Sequence, residues 1–107
     1  MGAVVQRKLV WTEGAREDRR RIFSYWTKRN KSDLYSRRLS KAFLRVGNGL
    51  LKNHYLGLRT SLKNIFYVVV EKKFLMLYRT KPEAIEIIAV WDGRRNPDDF
   101  EKLITKR

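Results

Sequence analysis

Residues 35–50, YSRRLSKAFLRVGNGL, have the clearest periodicity in the chain. Apolar side chains recur there every three or four positions, as they do on one face of an α-helix; they are Tyr35, Leu39, Ala42, Phe43, Val46 and Leu50. A second stripe is polar and consists of Arg37, Lys41, Arg45, Asn48 and Lys52. The pattern predicts an amphipathic helix whose apolar face packs on a flat partner.

A strand and a first helix are predicted upstream of this segment. Residues 4–11 alternate between apolar and polar side chains, which is typical of a strand. Thr12 suits an N-cap, and the helix that it starts is predicted over residues 13–29. Asn30 is expected to end that helix in the left-handed conformation, and Ser32 to cap the next one. The two helices would therefore form a hairpin.

The flat partner is predicted downstream, in three short segments rich in Ile, Val, Phe and Tyr. They are residues 64–71, 74–80 and 85–91. β-Branched and aromatic residues of this kind favour strands. Because the turns between the segments are short, neighbouring strands run antiparallel, and the three segments are expected to form a meander.

A terminal helix completes the predicted fold. Asn96 suits an N-cap and Pro97 the first helical position, so a helix is predicted over residues 97–104. The predicted fold class is α+β, with the order β-α-α-β-β-β-α. In this fold a mostly antiparallel sheet packs against an N-terminal two-helix hairpin, and residues 1–107 form a single domain.

Charge is the most unusual property of the sequence. The chain carries 25 Lys and Arg residues against 11 Asp and Glu residues, which gives a net charge of +14. Residues 16–63 hold 14 of the basic residues and only three of the acidic ones, Glu17, Asp18 and Asp33. So concentrated a field attracts polyanions, and a nucleic acid or an acidic protein is therefore the expected partner.

The residue types exclude several kinds of site. The sequence has no cysteine, which excludes disulfides and thiolate chemistry, and its single histidine, His54, excludes a site with two imidazoles. We therefore expect neither a metal nor a cofactor. No apolar run is long enough to span a bilayer and no secretory pattern is present, so a cytoplasmic protein without a membrane partner is expected.

Three segments together carry a resemblance to a known family. They are LVWTEGAREDRRRIFSYWTKRNKS (residues 9–32), YSRRLSKAFLRV (residues 35–46) and IIAVWDGRRNPDDF (residues 87–100). In this order and spacing the chain resembles the RelE/ParE superfamily of type II toxins, and its two long helices are more similar to ParE. The resemblance implies a growth-arresting toxin whose groove binds a segment of an acidic antitoxin that orders on binding.

The resemblance also implies one of two targets: ParE-like members poison DNA gyrase, and RelE-like members cut messenger RNA on the ribosome. For cleavage, Arg94 and Arg95 match the place of an essential arginine, and Lys73 approximately matches a second basic position. An arginine fork donates two hydrogen bonds to a phosphate and would stabilise the charge that develops there. The alternative for both arginines is a solvated, charged turn.

Three further basic residues are predicted to contact nucleic acid or the target. Arg59 and Lys63 precede the first segment of the meander and would extend the surface around Lys73. Arg79 is the third, at the end of the second segment. Lys and Arg at such positions would neutralise phosphates or carboxylates.

A nuclease also needs a residue that handles protons, and many RelE-like enzymes carry a tyrosine in the terminal helix. Phe100 stands there in this chain and has no ionisable group. Tyr67, Tyr78 and His54 are the other candidates, but the apolar neighbours of Tyr78 predict a core tyrosine with a satisfied hydroxyl. The sequence therefore leaves open whether the chain is an enzyme.

Several functions remain open at this stage. The favoured hypothesis is a toxin that acts on DNA gyrase or translation and is neutralised by a cognate antitoxin. The alternatives are a ribosome-dependent mRNA endonuclease, a non-toxic basic module that binds nucleic acid through residues 16–63, and an inactivated family member that still binds antitoxin.

Overall fold

The structure, a computed structural model, describes residues 7–93, 102 and 104–106, in which a helical hairpin covers one face of a five-stranded sheet. The helices are α1 (Glu13–Asn30) and α2 (Leu34–Lys52). The strands are β1 (Lys8–Trp11), β2 (Leu58–Arg59), β3 (Phe66–Val70), β4 (Phe74–Thr80) and β5 (Ala84–Asp92).

The strand order is β1-β5-β4-β3-β2, and every pair of neighbours is antiparallel except β1 and β5, which run parallel. This confirms the predicted α+β class, the mostly antiparallel sheet and the helical hairpin. The predicted order β-α-α-β-β-β-α lacks β2, because a strand of two residues is too short to produce an alternating pattern. The three predicted meander strands agree with β3, β4 and β5 within two residues at each end.

The terminal helix predicted over residues 97–104 lies mostly outside the described residues. Lys102 and residues 104–106 are helical. Asn96, Pro97 and Phe100 belong to the part of the chain that is not described. Ile104 is buried against the sheet on the face opposite the hairpin.

Thr12 joins α1 to the sheet. Its Oγ1 accepts a hydrogen bond of 3.3 Å from Ala15 N–H in the first turn of the helix, as an N-cap residue does. The same hydroxyl lies 3.1 Å from Ile87 O and donates to it. The predicted cap is therefore confirmed, and it also fixes the start of α1 against β5.

The turn between the two helices differs in detail from the prediction. Asn30 is the last residue of α1, and Lys31 adopts the left-handed conformation in its place, with a φ of 52°. Ser32 Oγ accepts a hydrogen bond of 3.2 Å from Leu34 N–H, while Asp33 takes the N-cap position of α2. Both expectations were therefore wrong by one residue, because the helix continues through Asn30.

The two faces of the sheet hold separate apolar clusters. The cluster between the hairpin and the sheet contains residues from both helices and from β3, β4 and β5, among them Leu39, Phe43, Phe74, Met76, Tyr78, Ile85 and Ile87. The opposite face carries Ile65, Leu77, Ile88, Ala89, Trp91 and Ile104. A β-bulge at Ile88 interrupts the pairing of β4 with β5, since Leu77 pairs with Ala89 and Tyr78 with Ile87.

Asp18 anchors α1 to β5 close to this bulge. Its side chain is buried, and its Oδ2 accepts a hydrogen bond of 3.0 Å from Val90 N–H. Arg21 of the next helical turn lies 3.1 Å from Oδ1 and forms an ion pair with it. A buried carboxylate of this kind depends on such partners, because an unpaired one would be strongly disfavoured.

Candidate functional site

The turn between β3 and β4 lies beside the segment that leaves β5. Gly93 N–H donates a hydrogen bond of 2.7 Å to Lys73 O. A Cβ atom at position 93 would lie 2.9 Å from that oxygen, so the close approach requires glycine. Lys73 is therefore next to the start of the segment that carries Arg94 and Arg95, while these two arginines lie outside the described residues.

The Lys73 side chain faces the helical hairpin. Its Nζ lies 5.0 Å from the ring centroid of Trp26 and 5.5 Å from that of Tyr35, within the range of cation–π attraction. The two rings contact each other edge to face, with centroids 5.0 Å apart. The ammonium of Lys73 thus contributes to holding the turn against the hairpin.

Arg59 ends β2 and Lys63 lies in the loop between β2 and β3, and both line a depression of about 710 Å³ formed by residues 59–66. Thr60 shapes this loop: its Oγ1 donates to Ile65 O at 2.8 Å and accepts from Leu62 N–H at 3.1 Å. The structure brings these two predicted contact residues together, at a loop held by its own hydrogen bonds.

Arg79 lies on a different face from Lys73. Tyr78 and Ile87 pair across β4 and β5 and face the hairpin, so the next pair, Arg79 and Glu86, faces the other way. Arg79 Nε donates to Glu86 Oε1 at 2.6 Å, and Lys81 Nζ lies 3.2 Å from Oε2. The Arg79 hydrogen bond outweighs burial and lowers the pKa of Glu86, with Lys81 acting in the same direction.

A groove lies between α2 and the β3–β4 turn. We call it the basic groove, and its charged lining residues are Arg37, Arg38, Lys41, Arg45, Glu71, Lys72 and Lys73, of which Lys73 belongs to the predicted set. It consists of two depressions, of about 450 and 620 Å³, that share Arg38 and Glu71. Those two side chains form an ion pair of 3.0 Å across the groove. The stripe on α2 is visible in the sequence, but its contact with the β3–β4 turn is not, because the turn lies more than 25 residues further along the chain.

The electrostatics of the groove are one-sided. Residues 34–70 contain seven Lys and Arg residues and no Asp or Glu, and Asp33, the N-cap of α2, forms an ion pair of 3.0 Å with one of them, Arg37. Glu71 is the carboxylate among the described lining residues. Leu34 and Val69, which also line the groove, are exposed apolar side chains. This arrangement suits a partner that is acidic and partly apolar.

Tyr78 is unavailable as a general acid. It is fully buried, its hydroxyl donates to His54 O at 2.8 Å, and it accepts from Gly57 N–H at 3.0 Å. Burial raises the pKa of Tyr78, against the opposing effect of the Gly57 hydrogen bond. The predicted core tyrosine with a satisfied hydroxyl is confirmed. Tyr67 packs on the cluster of the opposite face, and the His54 ring packs on that of Tyr55.

The described residues contain neither a metal-binding cluster nor a membrane-spanning helix. Residues 7–93, 102 and 104–106 hold no group of three or more His, Cys, Asp or Glu side chains placed to bind a metal ion. Within the same residues, neither helix is long and apolar enough to cross a membrane. The basic groove and the loop of Arg59 and Lys63 are thus the surfaces that most need a functional explanation.

The family profile described as "ParE toxin of type II toxin-antitoxin system, parDE" matches residues 9–97, from β1 to beyond the last described strand. The chain belongs to this family. It is accordingly the toxin component of a type II toxin–antitoxin system, as the three sequence segments implied. No curated protein gives a significant match to this ParE-family toxin.

Solved structures support the fold. A chain of the chromosomal ParDE toxin–antitoxin system from P. aeruginosa is similar with a TM-score of 0.74 and 15% identity, covering 83% of this toxin and 98% of that chain. The DinJ–YafQ toxin–antitoxin complex of E. coli matches with a TM-score of 0.49 and 15% identity, covering 84% and 96%. The first likeness shows that this ParE-family toxin shares the fold of a chain from a ParDE system.

Proposed function

We propose that this ParE-family toxin arrests growth in the cytoplasm by acting on DNA gyrase, and that an acidic segment of a cognate antitoxin neutralises it by binding the basic groove. The observation that supports the antitoxin half is the groove itself. Six basic side chains and one carboxylate line it, and residues 34–70, which include α2, contain no acidic residue.

The details of the groove favour a peptide as its ligand. Arginine forks bind carboxylates through two parallel hydrogen bonds, and Arg38 already holds Glu71 in this groove at 3.0 Å. An incoming carboxylate would replace Glu71 on Arg38. Exposed Leu34 and Val69 would be covered by apolar side chains of the same segment. The family description, a toxin of a type II toxin–antitoxin system, supports a protein partner of this kind.

Gyrase is preferred to messenger RNA as the target for two reasons. Membership of the ParE family favours gyrase, since that is the target which the resemblance implies for ParE-like members. The described residues also offer a nuclease little support, because the Lys73 ammonium packs on Trp26 and Tyr35 and Tyr78 is buried.

Cleavage of mRNA on the ribosome is the second candidate, with Arg94, Arg95 and Lys73 around one phosphate. One observation favours it: Gly93, the residue before Arg94 in the chain, donates a hydrogen bond of 2.7 Å to Lys73 O. Three cations around one phosphate would stabilise the extra negative charge of the transition state.

Controlled expression separates the two targets. Gyrase action predicts growth arrest with intact transcripts, and purified toxin should inhibit supercoiling of relaxed plasmid by gyrase. New 5′ ends inside translated codons, together with unchanged supercoiling, would contradict the gyrase proposal and support the nuclease.

The groove is tested by reversing its charge. The triple variant Arg38→Glu, Lys41→Glu, Arg45→Glu should lose co-purification with the antitoxin encoded beside the toxin and should still arrest growth. The matched control is Arg16→Glu, Arg20→Glu, Lys28→Glu, which reverses three exposed charges of α1 and changes the net charge equally. Equal loss of binding in both variants would mean that net charge, not the groove, attracts the antitoxin.

A further inference from the structure

The loop that connects α2 to β3 exposes a group of apolar side chains at the far end of α2 from the hairpin turn. Tyr55, Leu56 and Leu58 are 83%, 58% and 60% exposed as whole residues, and we call them the apolar loop patch. Isolated exposed leucines are common, but three large apolar side chains within four residues are not a typical solvent-facing loop.

Hydrogen bonds hold the backbone of this loop in place. The buried hydroxyl of Tyr78 bonds to His54 O at 2.8 Å and to Gly57 N–H at 3.0 Å, one on each side of the patch's first two residues. Asn53 Oδ1 accepts from Tyr55 N–H at 3.1 Å. The loop therefore keeps its apolar side chains outward while its backbone is tied to the core.

Gly57 shows how closely the loop is fitted to its anchor. A Cβ atom at this position would lie 2.2 Å from the Tyr78 hydroxyl oxygen, which no side chain can tolerate without a shift. A loop that is fixed before binding loses little conformational entropy when a partner covers it. The patch is thus preorganised for contact.

Basic residues flank the patch along the chain. Lys52 precedes it at the end of α2, and Arg59, which ends β2, and Lys63 follow it. All of them fall in the stretch of residues 34–70 that has no acidic residue. An apolar segment flanked by charges of one sign suits a protein partner that carries the opposite charge.

We propose that the apolar loop patch, with Lys52, Arg59 and Lys63 flanking it along the chain, is the surface through which the toxin docks on an acidic, partly apolar face of its protein target. The inference rests on the proposed function in requiring that the target be a protein. A protein is favoured over a nucleic acid because two of the three patch side chains are leucines, which cannot stack on bases as the ring of Tyr55 can. In this assignment the two ends of α2 serve different partners, the antitoxin at the basic groove and the target at the patch.

The test compares two variants of the full chain. The first replaces the patch (Tyr55→Ser, Leu56→Ser, Leu58→Thr), and the second is the matched control Tyr25→Ser. Tyr25 is 50% exposed and lies near the hairpin turn, separated from the loop by the length of α2, about 28 Å. Growth arrest after induction, inhibition of purified gyrase on relaxed plasmid, antitoxin co-purification and thermal unfolding are measured for each.

The patch variant should arrest growth and inhibit gyrase at least about tenfold less well than wild type, since exposed tyrosines and leucines at an interface centre contribute strongly to affinity. Antitoxin co-purification and the melting temperature should not change, and Tyr25→Ser should behave as wild type. If the triple variant unfolds, the single change Tyr55→Ser, at the most exposed position, gives the same comparison.

Other outcomes would overturn the proposal. Wild-type potency of the patch variant would remove the docking role, and loss of antitoxin binding with potency retained would assign the patch to the antitoxin. The double variant Arg59→Gln, Lys63→Gln tests the remaining possibility. If it alone lowers growth arrest, and it also binds a fluorescent duplex DNA more weakly, the surface binds nucleic acid. If the wild-type toxin arrests growth but does not affect supercoiling, the gyrase proposal alone is refuted. Weaker growth arrest by the patch variant would then still support the docking role, and undiminished arrest would overturn it.

Discussion

The hairpin and the sheet contact each other in two different ways. Near the start of α1, buried Asp18 accepts a hydrogen bond of 3.0 Å from Val90 N–H. At the β3–β4 turn the contacts are exposed, and they consist of the Lys73 ammonium on two aromatic rings and the ion pair of Arg38 with Glu71. Water competes with the exposed contacts but not with the buried one. The buried contact therefore fixes the fold, while the exposed contacts leave a surface that a partner can occupy.

The largest expected effect comes from breaking the buried contact. Asp18→Ala should lower the free energy of unfolding by about 3 kcal/mol, because it leaves the Val90 N–H buried without this acceptor. Asp18→Asn keeps an oxygen at the site and should cost less. Urea denaturation of the purified variants measures both. A loss below about 1 kcal/mol for the alanine variant would mean that the contact is not an anchor.

A second buried anchor joins the loop to the sheet, and its removal should have the next largest effect. Tyr78→Phe removes the hydroxyl that bonds to His54 O and Gly57 N–H and should cost about 1–2 kcal/mol. The loop should also become more sensitive to limited proteolysis. The matched control is Tyr67→Phe, on the opposite face. Equal losses of stability in the two variants would argue against a specific role for the Tyr78 hydroxyl.

A partly buried charge cluster lies between these extremes and predicts a pH dependence. The pKa of Glu86 in the folded chain is below its ordinary value of 4.5, chiefly because of the hydrogen bond from Arg79. The stability that follows is present above pH 4.5 and is lost as the pH falls through the folded-state pKa.

Glu86→Gln should therefore cost at most about 1 kcal/mol at pH 7, since both cations are partly exposed, and should flatten the stability curve below pH 4.5. Glu83→Gln, at an exposed position in the turn before β5, is the control. Unfolding curves at pH 7 and at acidic pH check the difference, and parallel curves for Glu86→Gln and wild type would refute it.

The sequence was sufficient to predict the fold because its main signals are local. The period of apolar residues in α2, the Thr12 cap and the run of β-branched residues in β3 each act within a few neighbours. β2 escaped prediction, because its two residues acquire strand geometry only by pairing with Tyr67 and Phe66. Parallel pairing of β1 with β5 is likewise a contact between distant segments that no local pattern specifies.

The candidate site was harder to predict, because it too depends on contacts between segments that are distant in the sequence. Arg59 and Lys63 are close in sequence and proved close in space, around one depression. Arg79 has the same charge, but strand alternation and its Glu86 partner place it on another face. The basic groove joins two elements that are far apart in the chain, so the stripe on α2 alone did not identify it.

The smallest expected change in stability is at Lys73. Substitutions there distinguish a structural role of the side chain from a catalytic one. Lys73→Met removes a cation–π contact of about 0.5–1 kcal/mol, and the thioether regains part of it by packing on Trp26 and Tyr35. The melting temperature should therefore stay within a few degrees of the wild-type value.

If Lys73 only holds the turn against the hairpin, the Lys73→Met toxin should arrest growth as wild type does. A nuclease with Lys73 on the phosphate predicts the opposite, namely loss of arrest and of transcript cleavage at unchanged stability. Lys73→Arg sharpens the comparison, because it keeps the positive charge in either role. If Lys73→Arg arrests growth and Lys73→Met does not, messenger RNA and not gyrase is the target. If both variants arrest growth equally, Lys73 makes only a structural contact.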